Sequence, residues 1–256
     1  MPDDAPRLNG IKRTANDIYR RYRIARLKRV QHDRIRYWRE LRTFTYKDHT
    51  LQPFDQHRCI FVHVPKTGGW SISQSLFDSG TGGHRTAMEY KQIFGEATFN
   101  SYFKFAFVRN PWDRVVSSYS FFKKGGNTGF HHWAQTHLHE YGDFESFVQG
   151  CFKREGVYDH MHLIPQHQFL CDETRALAVD FLGRFENFEE DFVRLRQRLG
   201  GLGSELRHLN ATKRSDYRDY YTDETRAIVA QAYRTDLALF GYEFEGGQPP
   251  RPAASL

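Results

Sequence analysis

Cysteine is scarce in this chain of 256 residues, with only Cys59, Cys151 and Cys171 present. Their spacing matches no metal-ligand pattern and builds no disulfide framework, which points to a reduced, intracellular protein. Long apolar runs are missing too. Mean hydropathy is −0.71, and no stretch approaches the roughly 18 residues that a spanning helix needs. The first 30 residues hold no apolar core of a secretory signal, so a cytoplasmic location is expected, with at most peripheral contact with a membrane. Hydrophobic residues at 39% and aromatic residues at 16% suffice for a substantial core, and charged residues at 27% are ordinary for a globular protein. Global disorder is thereby excluded.

Acidic residues are sparse at one end. Residues 1–50 hold 14 Lys/Arg against 6 Asp/Glu, a net of +8, and the remainder nets −2. The high isoelectric point of 9.2 therefore belongs to an N-terminal arm. Within it Ile11, Ala15, Ile18, Tyr22 and Ala25, then Ile35, Trp38 and Leu41, recur at helical spacing over residues 11–42, with arginine on the other faces. Such a helix can dock on the body, lie on an anionic membrane or a sulfated or phosphorylated polymer, or, as the least favoured reading, meet nucleic acid. The Gly-, Pro- and Ala-rich tail 246–256 reads as disordered.

Between arm and tail, residues 51–245 alternate strand and helix signals. The apolar run Cys59–Val64 predicts a buried strand, and Phe103–Val108 and Ala178–Phe185 read as a second and a third. Helices are predicted over Trp70–Phe77, from Pro111 to about Lys123, over Phe144–Phe152, Phe188–Leu199 and Asp223–Leu239. This order implies one α/β domain with a mostly parallel central sheet flanked by helices.

Two strand–helix junctions carry chemistry. The first is Val64-Pro65-Lys66-Thr67-Gly68-Gly69-Trp70-Ser71. A strand running into a helix there aims free amides and the positive end of the helix dipole at one point, and glycines let an anion approach the backbone. Lys66 adds a mobile charge, while Thr67 and Ser71 add hydroxyls. Lys66 precedes the glycines, the reverse of a Walker A loop. The second junction runs from Arg109 through Asn110, Pro111, Asp113 and Arg114 to Ser117. Arg109 falls at the carboxyl end of a strand, where parallel sheets bind ligands. Arg109 and Ser117 can together hold a phosphate, or Arg109 can simply pair with Asp113. Asp113, Arg114 and Ser118 are expected on the polar surface of the helix.

Together the two junctions resemble the sulfotransferases. Lys66-Thr67-Gly68-Gly69 looks like their 5′-phosphosulfate loop, and Arg109, Pro111, Arg114 and Ser117 look like their 3′-phosphate motif. Ser101–Arg109, Asp180–Asn187 and Phe240-Gly241-Tyr242 are similar to the carbohydrate, Golgi-type branch, so the resemblance covers about residues 57–244. It implies a P-loop-like fold and transfer of a sulfuryl group from 3′-phosphoadenosine 5′-phosphosulfate (PAPS) to a carbohydrate hydroxyl without a metal. Lys66, Thr67, Gly68, Gly69, Trp70 and Ser71 would hold the 5′ side, Arg109 and Ser117 the 3′-phosphate, and Lys213 or Arg214 would close over the nucleotide. Trp70 departs from the family loop, which carries a small residue or threonine there, and is expected to pack into the core. The resemblance puts the general base just upstream of the second strand, which selects His84 in Gly82-Gly83-His84-Arg85-Thr86.

His63 is expected as a core histidine. The pairs His131/His132, His137/His139 and His160/His162 lack the cysteines or carboxylates of a zinc site. Gln166 and His167 are candidates to face the acceptor, with segments 123–141 and 156–171 forming its pocket. Two other classes remain open. One is a P-loop kinase, disfavoured by the reversed lysine and the lack of a recognisable magnesium carboxylate. The other is a non-catalytic binder that uses the basic arm.

Overall fold

The computed structural model describes residues 32–45, 49–125, 141–152, 160–207, 209 and 215–246. Lys213 and Arg214, the arm before residue 32 and the tail after Gly246 lie outside the described residues.

The main sheet has three parallel strands, β2 (Cys59–Phe61), β4 (Phe103–Val108) and β5 (Phe181–Arg184), in the order β2-β4-β5. Cys59 stands opposite Phe103, and Phe105 opposite Phe181. β4 lies between the other two and is buried from its second residue onward, which is why it is apolar at every position except Lys104. A second parallel pair joins β1 (His49–Thr50) to β3 (Gly80–Thr81). The sheet is thus α/β and parallel, as the sequence predicts.

Two strands are shorter than the segments predicted for them. β2 ends at Phe61, although the Val62 amide still donates to the Phe105 carbonyl. β5 begins three residues late because the Asp180 carboxylate, at 2.7 Å, occupies the Lys104 amide that a longer ladder would have used.

Helices α1 (residues 32–40), α2 (Gln52–His57), α3 (Gly69–Phe77), α4 (Ala87–Phe94), α5 (Glu96–Ser101), α6 (Pro111–Lys123), α7 (Phe144–Gly150), α8 (His167–Leu170), α9 (Phe188–Arg198), α10 (Asp223–Ala232) and α11 (Arg234–Phe240) surround the strands. α6 starts as its sequence dictates: Pro111 takes the first turn and the Asn110 side chain accepts from the Trp112 amide. α4 was not predicted, yet its signal is present. Thr86 and Glu89 form a reciprocal capping box. The single helix expected over Asp223–Leu239 breaks at Tyr233, which is fully buried and donates its hydroxyl to the Leu163 carbonyl at 2.6 Å.

The described part of the arm is docked on the body. Ile35 and Leu41 join the core around β2 and β4, and Trp38 packs against it. The arginines there face partners on the body or on α1 itself: Arg34 pairs with Glu89, Arg36 with Glu40 and Arg42 with Asp55, while Arg39 donates to the Gln92 carbonyl. Among the described residues no helix is long and apolar enough to cross a membrane.

Candidate active site

β2 and β4 are parallel neighbours, so their carboxyl ends open side by side and their two following loops meet. A direct bond joins them: Arg109 donates from Nη1 to the Lys66 carbonyl at 3.0 Å.

The first loop turns sharply into α3. Lys66 takes φ +69 and Gly68 φ +78, both left-handed, and Gly68 is the N-cap residue with no side-chain cap. The amides of Thr67 to Ser71 donate to no described residue. They form a row of unsatisfied donors at the positive end of the α3 dipole, which suits an anion. The Thr67 hydroxyl is spent inside the loop, donating to the Val64 carbonyl at 2.9 Å. The Ser71 hydroxyl both donates to and accepts from the Leu209 backbone, which ties Leu209 to α3.

The glycines serve packing behind the loop. A Cβ on Gly68 would meet the Phe188 ring at 2.5 Å, and one on Gly69 would overlap the His63 imidazole. Trp70 does not enter the core as expected. It is 45% exposed, because the first turn of α3 presents it to solvent. The Lys66 ammonium lies 4.2 Å from the centre of the Phe121 ring, which follows Ser117 by one turn of α6.

Arg109 is paired with Asp113 here, and nothing in that pairing decides the phosphate reading. Its Nε donates to Asp113 at 2.7 Å, and its guanidinium stacks 3.8 Å over the Phe185 ring. Gln166 clasps the Arg109 backbone from both sides, accepting from its amide at 2.9 Å and donating to its carbonyl at 2.8 Å. Ser117 is half-buried two turns into α6 and its hydroxyl bonds to no described residue.

Arg114 and Ser118 contradict their expected place on the polar surface, since both are fully buried. Residues 114 and 118 lie one turn apart on the inward face of α6. Arg114 donates to the carbonyls of Pro65, His162 and Ile164, tying the first loop to the 162–164 segment. Gln166 and His167 face inward too. Asp236 accepts from both their amides and from His167 Nδ1, so both residues brace the site, Gln166 fully buried and His167 half-buried.

His84, the base that the resemblance implies, stands beside the segment that enters the first loop. Its Nδ1 lies 3.1 Å from the His63 carbonyl oxygen. A carbonyl can only accept, so Nδ1 carries the proton and Nε2 keeps its lone pair. Burial pushes the His84 pKa down to about 4, with the Lys66 and Arg114 cations adding to the effect and the bond to His63 opposing it. His63 was expected inside a strand. It falls two residues past β2, with its ring 4.3 Å from that of His84 and stacked on Phe61. His162 closes the row at 5.8 Å from His84. Burial holds His63 and His162 well below the usual imidazole range, so all three rings are neutral at pH 7. His162 was visible only as half of a histidine pair. Its place here comes from the Arg114 bonds that anchor its segment. Among the described residues no group of His, Cys, Asp or Glu could hold a metal ion.

Comparison with known proteins bears on the family to which the chain belongs. A relative in Archaeoglobus fulgidus, described as an uncharacterized protein, is 31% identical over 108 residues, which cover 41% of this chain and 74% of that protein. No solved structure gives a significant match. The family model described as "Sulfotransferase family" matches residues 49–243, a span that includes both loops, His84 and all three strands of the main sheet. With more than half its length matched, and with a parallel α/β sheet that opens two anion-suited loops at one edge, the chain belongs to the sulfotransferase family.

Proposed function

We propose that the protein transfers a sulfuryl group from PAPS to a hydroxyl of a carbohydrate acceptor. The observation that carries this reading is the row of unsatisfied amides from Thr67 to Ser71 on the α3 N-terminus, joined through Lys66 to Arg109. These residues fit a nucleotide with phosphate at both ends. The amide row and Lys66 would hold the 5′ side, and Arg109 with Ser117 the 3′-phosphate. Lys213 and Arg214 remain candidates to cover it, since Ser71 ties Leu209, just before them in the chain, to α3.

When bound, PAPS supplies a sulfuryl group already activated by attachment to a phosphate. The chain's own contribution is charge and proton handling. The Lys66 ammonium and the α3 dipole stabilise negative charge that accumulates at the first loop, an effect typically worth about 10² to 10³ in rate. His84, neutral and with the Nε2 lone pair available, accepts the acceptor hydroxyl's proton, typically worth about 10² to 10⁴. His63 fixes the tautomer through its carbonyl. We further propose that basic residues before position 32 meet an anionic membrane surface, in which case vesicle binding would weaken as salt rises.

Calorimetry with three nucleotides tests the reading. Adenosine 3′,5′-bisphosphate should bind far more tightly than adenosine 5′-monophosphate or ATP. A preference for ATP would favour a kinase, and no binding of any nucleotide would leave an anionic-polymer binder.

A further inference from the structure

We propose that Trp38, on the last turn of α1, is a positioning residue that sets where His84 stands. The inference rests on His84 being the base of the reaction proposed above. Gly82 and Gly83 precede His84, and Gly82 takes φ +82, so the backbone there has little stiffness of its own. On its inner side, among the described residues, the His84 ring is held by its hydrogen bond to the His63 carbonyl.

The outer side is clamped by the arm. The Trp38 indole lies directly against Gly83, where an added Cβ would come within 2.6 Å of Cη2. Arg85 follows His84 and sets its guanidinium 5.2 Å from the Trp38 ring centre. Glu89 accepts from Arg85 at 3.2 Å and from Arg34 of α1 at 2.8 Å, and its other oxygen accepts from the Thr86 amide at 2.9 Å. Tyr90 donates to the Gly83 carbonyl at 3.3 Å. The loop that presents His84 to Lys66 is therefore sandwiched between α1 on one side and the first loop on the other.

This placement gives the docked end of the arm a role beyond covering core. A general base must sit within hydrogen-bond reach of its proton, and a displacement of about 1 Å can cost on the order of 10²-fold in rate. Without the indole, the loop would keep its backbone bonds at Gly82 and Gly83 but lose the surface that presses on Gly83 from outside. The charged and titratable groups around it are His63, His162, Lys66 and Arg114 on the inner side and Arg85 and Glu89 behind. Loosening the loop would let water reach the ring and weaken the effect of burial.

The test uses the full chain. Trp38→Ala should lower kcat about 10- to 100-fold while the Kd for adenosine 3′,5′-bisphosphate changes less than about two-fold. Trp38→Phe should recover most of the rate. In a His84→Asn background, Trp38→Ala should change the residual rate less than about two-fold, because the group it positions is gone. NMR of the imidazoles gives a readout independent of turnover: Trp38→Ala should raise the His84 titration from about 4 toward the ordinary 6.5. An equal loss of rate in both backgrounds, a matching loss of nucleotide affinity, or an unmoved His84 titration in the folded variant would overturn the inference. Full activity of His84→Asn would instead remove His84 as the base, and the NMR titration would still decide whether Trp38 holds it.

Discussion

Lowering the pH from 7.5 to 4.5 should destabilise the fold through its buried histidines. His84 stays neutral in the folded chain down to about pH 4, whereas in the unfolded chain an imidazole takes up its proton near 6.5. Above 6.5 both states are neutral and the group contributes nothing to the pH dependence. Between 6.5 and 4 the unfolded chain binds a proton that the fold refuses, so stability falls as pH falls, and below about 4 the loss is complete. At 1.36 kcal/mol per pH unit, His84 alone costs about 3 kcal/mol across that window. His63 and His162 act in the same direction, while Glu186, whose carboxyl burial pushes upward, acts against them. A typical domain has roughly 5–15 kcal/mol in total, so the effect should be plain. Urea unfolding at pH 7.5, 6.5, 5.5 and 4.5 measures it. His84→Asn should flatten the pH dependence by about 2–3 kcal/mol relative to the parent. Parallel curves for parent and variant would refute the reasoning, since His84 would then titrate alike in both states.

Lys66→Ala should lower kcat by about 10² to 10³ with an unchanged circular dichroism spectrum, because a half-buried loop lysine packs chiefly on Phe121. Arg109→Ala should weaken adenosine 3′,5′-bisphosphate binding by about 1.5–3 kcal/mol, and 5′-monophosphate binding much less, in the same calorimetric experiment. Asp113→Asn should tighten bisphosphate binding several-fold, because the carboxylate that now holds Arg109 competes with a phosphate; weaker binding would show that Asp113 aims the guanidinium. Leu41→Ala should cost about 2–5 kcal/mol in urea unfolding, since Leu41 is fully buried, and a cost near zero would argue against the docked arm.

The sequence by itself determined the elements whose signals are local. β4 is apolar at every position but Lys104 because it is covered on both faces, and α6 announces itself through Asn110 and Pro111. The two loops were legible for the same reason, because residue order at a strand–helix junction largely fixes where amides, glycines and a lysine fall. Their joint use was implied only by the resemblance, and it is the pairing of β2 with β4 that brings them to one edge.

What only the tertiary structure decided are the relations between segments far apart in the chain. No periodicity reveals that Asp180 caps the Lys104 amide and shortens β5, or that Gln166 clasps the Arg109 backbone 57 residues away. Arg114 reads as a surface arginine because a charge normally stays in water. It is buried because three carbonyls from Pro65, His162 and Ile164 converge on it. Trp70 reads as core because large aromatics usually are, and it is exposed because its turn of α3 faces outward. The arm's helical spacing left its target open between a membrane, a polymer and the body. Only the fold placed Glu89, Asp55 and the Gln92 carbonyl opposite its arginines and Gly83 opposite Trp38. Local signals reside in neighbouring residues and survive in the sequence, whereas burial and charge pairing depend on which distant segment arrives, and that is settled only when the chain closes on itself.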